Sequence, residues 1–205
     1  MDAIETLMNE HRTIERAIDA LVSFADAVSR KTTDDPGEKV ELGRFVTFIR
    51  EFADAHHHGK EEDILFAAMV QAGFPRNGGP IAVMLSEHDQ GRGYVRVLAE
   101  LSAQTGAWSA DDRQRLAEAA HGYGNLLRAH IHKEDVILYP MAEQRLPPEV
   151  LARVSADCEA YEAKKTGSGE RERLHQLAED LVERHAPLTR EESPRRPAPG
   201  FGGCC

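Results

Sequence analysis

The chain is poor in the features that staple a small secreted protein or carry a chain across a membrane. Among its 205 residues there are three cysteines, Cys158, Cys204 and Cys205. They do not make a disulfide framework. No apolar run reaches the ~20 residues that a membrane-spanning helix requires. Basic residues are in deficit, with 25 Lys and Arg against 35 Asp and Glu and a net charge of −10. That balance argues against a nucleic-acid partner, since phosphate binding needs a basic face. The opening Met1-Asp2-Ala3-Ile4-Glu5 lacks the basic and apolar regions of a signal peptide, so the expected location is the cytoplasm. Alternating strand patterns of useful length are missing too. What remains is helix, and 41 % hydrophobic residues are enough for a core. The fold class is all-α.

What the chain does have is histidine, ten in all, placed in a repeat. His57 to Ala67 reads His-His-Gly-Lys-Glu-Glu-Asp-Ile-Leu-Phe-Ala, and His130 to Pro140 reads His-Ile-His-Lys-Glu-Asp-Val-Ile-Leu-Tyr-Pro. The shared core is His-x-x-Lys-Glu-acid-x-Ile-Leu-aromatic. On a helix, His and Glu at i and i+4 share a face one turn apart. An imidazole and a carboxylate so placed chelate a borderline transition metal. A single His stands upstream of each copy, as Asn9-Glu10-His11 and Ser86-Glu87-His88.

Four apolar stripes with helical period carry these residues. The first follows an Asp2 cap from Ile4 to Val28. The second runs from about Val40 to Ala72, through Phe45, Phe52, His57, Glu61, Leu65 and Ala68. The third runs from Ile81 past His88 and Leu98. The fourth is capped by Ser109 with Asp112 and runs through Leu116, Tyr123, Leu127, His130, Glu134, Ile137 and Met141, with Pro140 expected to bend or end it. Short loops between four such helices predict an up-down-up-down four-helix bundle over 1–145. At ~1.5 Å rise per residue, His11, His57, Glu61, His88, His130 and Glu134 fall at one depth. Residues 146–186 predict two additional C-terminal helices, packed on the bundle or on a second copy in a homodimer. Residues 187–205, rich in Pro, Arg and Gly, predict a disordered tail.

Each candidate has a plainer reading. A lone His in an apolar stripe is usually a satisfied core residue, but four His and two Glu at one depth are not so explained. Two unpaired buried carboxylates would be very costly, and a metal centre neutralises them. Four imidazoles, two bridging carboxylates and a bridging oxygen leave about one open position on each of two six-coordinate ions. A single zinc leaves ligands over. His56, His58 and His132 turn away from the ligand face at α-helical phase. His58 pairs at i+4 with Glu62, a shifted register that the second copy argues against, since Ile131 and Asp135 stand there. Glu62 and Asp135 are then off the ligand face. Glu10 and Glu87 read either as acceptors for imidazole N–H groups or as solvated charges. Tyr123, seven residues before His130, reads as a core aromatic or as a hydroxyl reaching the open metal positions. Cys204-Cys205 reads as a tail thiol pair.

Over about 1–144 these motifs resemble the hemerythrin-like family of HHE cation-binding domains. The resemblance implies a di-iron centre, two Fe ions with a bridging oxo or hydroxo group and the two Glu as bridges. It implies small ligands such as O2, H2O2 and NO. One departure stands out: oxygen carriers of this family have a His-x-x-x-His pair on the third helix, whereas His88 here has Met84 and Arg92 at i−4 and i+4. That favours peroxidase-like reactivity or sensing over O2 transport. A bundle held by zinc or manganese without redox chemistry is the third alternative.

Overall fold

The computed structural model describes residues 2–33, 35–165 and 169–185. Every element among them is helical. Helix α1 is Ala3–Ser29, and the Asp2 side chain accepts a hydrogen bond from the Ile4 amide. Helix α2 begins at Pro36, earlier than the stripe suggests, because Asp35 caps it and Pro36 is pre-set for the first turn. It runs as Pro36–Phe48, widens into π-helical Ile49–His58 and Glu61–Leu65, and closes as Phe66–Gln71. Helix α3 is Gly79–Ala103. Helix α4 runs as Ala110–Lys133, π-helical Glu134–Leu138 and Tyr139–Arg145, opened by the reciprocal Ser109–Asp112 capping box. Pro140 does not end α4: it sits at the start of the α-helical segment that resumes after the π turn.

Helices α5 (Pro148–Lys165) and α6 (Glu170–His185) complete the described chain. Both pack on the first four helices. Leu174, Ala178 and Leu181 of α6 join a core cluster with Phe24, Phe45, Phe52 and Leu116. Val154 and Cys158 of α5 join a second cluster with Ile4, Leu65, Phe66 and Tyr139. At Gly59 an added Cβ would stand 2.0 Å from the Tyr161 hydroxyl, so α5 lies against α2 only because that side chain is absent. The predicted tail and Cys204-Cys205 lie outside the described residues.

Two of the helix pairs meet in reversed order. Asp19 and Asp26 of α1 pair with Arg128 and His121 of α4. Arg92 and His88 of α3 pair with Asp54 and Glu62 of α2. The two apolar clusters lie on either side of a polar layer, and the histidines fill that layer. Each buried Leu or Phe contributes about 1.5–3 kcal/mol, which offsets the cost of that layer. The π turns change which residues face it. Ile137, on the predicted apolar stripe, is 49 % exposed, while Leu138 takes the inward place at 1 %.

Candidate metal centre

The six histidines and glutamates of the repeat lie in the buried layer, each no more than 2 % exposed. Together with His58 they form two groups with one member in common. His11, His57, Glu61 and Glu134 bring ligand atoms within 4.8 Å of one another, and so do His58, Glu61, His88 and His130. Glu134 also reaches across: its Oε2 lies 3.3 Å from His11 Nε2 and 3.2 Å from His130 Nε2. Both glutamates therefore stand between the two groups.

His58 is the residue that α-helical phase misplaces. At 100° per residue His57 and His58 diverge, but they sit in a π-helical segment. Its i→i+5 bonding widens the turn and reduces the angle between neighbours. His57 and His58 then both face the layer, and His58 stacks on His88 at 3.8 Å between ring centroids. The sequence carried one clue, three consecutive histidines before a glycine. His132 is exposed, as its phase predicts. His56 is buried but faces a separate cluster of Glu10, Lys60 and Glu162.

Each imidazole of the layer turns Nδ1 outward to a carboxylate. His11 meets Asp135 at 2.7 Å, His57 meets Glu10 at 2.9 Å, His88 meets Glu62 at 2.8 Å and His130 meets Glu87 at 2.9 Å. His58 meets Asp54 more loosely, at 3.4 Å. An ionised carboxylate only accepts, so Nδ1 carries the proton and Nε2 faces the centre. Glu62 and Asp135 are thus not idle off-face charges, because they fix the rings of His88 and His11. The lysine of each repeat copy holds the same carboxylate that its own copy's histidine uses: Lys60 pairs with Glu10 and Lys133 with Glu87.

Electrostatics sort the rings. Burial pushes His57, His58 and His88 down to about 4, leaving them neutral at pH 7. Burial also acts against protonation of His11, but Asp135 and Glu134 outweigh it and raise His11 to about 9. His130 moves up for the same reason, opposed by burial and carried by Glu134 and Glu87. A cation would replace these imidazole protons. Burial and the facing Glu134 push Glu61 well up, while His130 and His11 overcome burial to hold Glu134 well down.

Glu61 Oε2 and both oxygens of Glu134 are buried without a hydrogen-bond partner among the described residues. Such atoms cost about 1–3 kcal/mol each or more, and a divalent cation satisfies them. The donor set of imidazole nitrogen and carboxylate oxygen suits iron, zinc or manganese. The aromatic residue at the centre is Tyr139, whose hydroxyl donates to Glu61 Oε1 at 2.6 Å and lies 3.4 Å from His11 Nε2. Burial and the charge of Glu61 keep its phenol protonated. Tyr123 is buried two helical turns away, and its hydroxyl bonds to none of these residues. The repeat itself marked Tyr139, since it occupies the aromatic place of the motif.

A buried layer of paired imidazoles around shared carboxylates, carried on packed helices, defines a cation-binding helical protein. The hemerythrin HHE cation-binding domain matches residues 2–142, and the chain belongs to that family. An uncharacterized protein of Mycobacterium tuberculosis (strain ATCC 25618 / H37Rv) is 29 % identical over 139 residues, covering 67 % of this chain and 52 % of its own length. The iron-sulfur cluster repair protein YtfE of Dickeya chrysanthemi (strain Ech1591) is 32 % identical over 130 residues, 60 % of this chain and 56 % of that protein. The protein of the same name from Cronobacter sakazakii (strain ATCC BAA-894) is 29 % identical over 92 residues, 45 % and 41 % of the two chains. The chain spans about half the length of the curated relatives it matches. No helix among the described residues is long and apolar enough to cross a membrane.

Proposed function

We propose that the chain is a non-heme di-iron protein that reacts with small oxidants, namely peroxide, nitric oxide and O2. In this reading residues 1–145 are an up-down-up-down hemerythrin-like bundle, and 146–186 are a helical extension that closes one side of it. Its partners are small molecules rather than nucleic acid or lipid, and its place is the cytoplasm. The observation that carries the reading is Glu61, shared by two groups of buried donors. One ion would take His11 and His57, the other His58, His88 and His130, with Glu61 and Glu134 between them. Two irons so held would supply one-electron redox chemistry to a small ligand.

The chain's own residues do the rest. Outer carboxylates orient the rings and raise their basicity. The apolar clusters exclude water from either side of the layer. The Tyr139 hydroxyl holds a proton 2.6 Å from Glu61 Oε1, within reach of a bound oxidant. It stands on the half that offers two imidazoles rather than three.

His58 also favours a second reading. A fifth imidazole would fill one of the two positions that a four-histidine site would leave open. A site with one open position suits reversible binding, hence an O2 or NO sensor or store. The relatives named for iron-sulfur cluster repair support a role in oxidative or nitrosative stress under either reading.

Metal analysis with an optical spectrum tests the metal: about two iron atoms per chain with near-ultraviolet absorption are expected, and one zinc with no iron uptake overturns it. Stopped-flow mixing of reduced protein with O2 separates the two functions. Oxidation without a lasting oxygenated spectrum, together with peroxide consumption, supports turnover. A stable, reversible spectrum supports the sensor.

A further inference from the structure

A cavity of about 140 Å³ lies between α2, α3 and α4. Its lining grades from the exposed Arg50 and Arg96 through the half-buried Arg92 to the buried His58, His88 and Tyr123. It therefore runs inward from the surface to the three-histidine half of the centre.

Three features of this cavity are chemical rather than packing. First, Arg92 is neutralised, since it pairs with Asp54 at 2.8 Å, Glu62 at 2.7 Å and Asp89 at 3.0 Å. Arg50 and Arg96 have no ion pair or hydrogen bond among the described residues. Two carboxylates, Asp54 and Glu87, also line the cavity, but each is already paired, Asp54 with Arg92 and Glu87 with Lys133, so neither offsets the two guanidinium groups at the mouth. Second, Tyr123 is only 2 % exposed, and its hydroxyl has no hydrogen-bond partner among the described residues. Its side chain forms part of the cavity wall. Burial, and then the charge of Asp54, hold its proton in place, leaving a neutral donor in that wall. Third, the walls between are apolar, formed by Ile49, Val95 and Leu127. At Gly91 an added Cβ would come 3.5 Å from the Tyr123 ring, so the glycine lets the ring sit against α3.

A guanidinium fork presents planar paired donors that match an oxyanion. A buried phenol adds a neutral donor without bringing charge. Low-dielectric walls focus the field of the mouth. We propose that this cavity is a binding site for a small monovalent oxyanion of the nitrate or formate class, captured at Arg50 and Arg96 and hydrogen-bonded by Tyr123 beside His58 and His88. Its volume admits a few waters or one such ion and shuts out phosphorylated metabolites. This goes beyond the di-iron reading and does not depend on which metal the layer holds.

Calorimetric titration of the purified full chain with nitrate and with formate, at fixed ionic strength, reads the binding. Crystals soaked in bromide locate the site by anomalous scattering. The expected result is one site per chain, with a bromide peak between Arg50, Arg96 and Tyr123. The Arg50→Gln/Arg96→Gln double variant should weaken nitrate about tenfold or more, as for loss of charge-assisted hydrogen bonds. Both arginines are exposed, so that variant folds. Tyr123→Phe keeps the ring and should weaken nitrate by a smaller factor, with unchanged metal content and melting temperature. Affinity unchanged in the double variant, or bromide found only elsewhere, overturns the proposal. Anion binding in a protein that carries no iron leaves this site standing and removes the di-iron reading instead.

Discussion

The two copies of the repeat build nearly the same half-site, and the places where they differ define the protein. In each copy the histidine turns Nδ1 to the glutamate that precedes the partner histidine, Glu10 for His57 and Glu87 for His130. In each, the lysine grips that same glutamate, and the acid after the copy's central glutamate orients a ring of the opposite half, Glu62 that of His88 and Asp135 that of His11. Two substitutions and one difference in burial break the symmetry. His58 stands where the second copy has Ile131, Tyr139 where the first has Phe66, and Lys60 is fully buried where Lys133 is 33 % exposed. One half gains a third imidazole and a cavity. The other gains a phenol and a lid, because α5 covers Lys60 and supplies Glu162 at 2.8 Å. A duplicated site thus becomes one open half and one sealed half.

The most damaging way to test this comparison is to remove what the halves share. Glu61→Ala should reduce bound metal from about two ions to nearly none, read by elemental analysis, because both donor groups use it. Retention of one ion would show that the halves are independent.

Next come the two lysine-gripped acids. Glu10→Ala leaves the buried Lys60 ammonium with one partner and should cost about 3–5 kcal/mol in denaturant unfolding. Glu87→Ala, facing a partly exposed lysine, should cost about 1 kcal/mol or less. Equal costs would mean that the α5 lid does not seal its half.

Glu62→Ala and Asp135→Ala should each weaken metal binding about 10–100-fold in competition with a chelator. Here the halves should behave alike, since each acid holds one ring. A smaller drop is expected for His58→Ala, about tenfold at one ion only, because Asp54 holds that ring loosely. A loss as large as that of His57→Ala would make His58 a full equal of the repeat ligands.

The smallest effect concerns pH. His56, against the pull of burial and with help from Lys60, holds the Glu162 carboxyl down to about 2. A depressed carboxyl stabilises the fold above its unfolded value, near 4.3, and loses that contribution as pH falls toward 2. Wild type should therefore exceed Glu162→Gln in stability at pH 7, with the gap closing between about pH 4 and 2. Matched circular-dichroism melts over that range read it, and a gap that persists at pH 2 assigns the effect to packing.

Much of the candidate site was legible because the signal was periodic. His11, His57, Glu61, His88, His130 and Glu134 follow from stripes and a repeat, and helix rise alone places them at one depth. The outer carboxylates were half legible. Glu10 and Glu87 were open alternatives, while Glu62 and Asp135, off the ligand face, were not read as ring partners, since a residue off the face of its own helix can still face a neighbouring one. Tyr123 drew attention by its spacing from His130, yet the hydroxyl at the centre belongs to Tyr139. The intervening π turn changes the phase after Glu134, so a fixed 100° step points to the wrong side.

The sequence by itself determined the helices, the caps at Asp2 and Ser109, the repeat and the chelating pairs, because all of these are set by residues a turn or less apart. Only the tertiary structure decided that His58 joins the layer, that α5 and α6 fold back on the first four helices, and that Arg50 and Arg96 stay unpaired among the described residues at a cavity mouth. Those outcomes depend on how α2 widens against its neighbours and on which side chains meet across helices. No local rule of spacing contains either, because the groups that meet there are far apart along the chain.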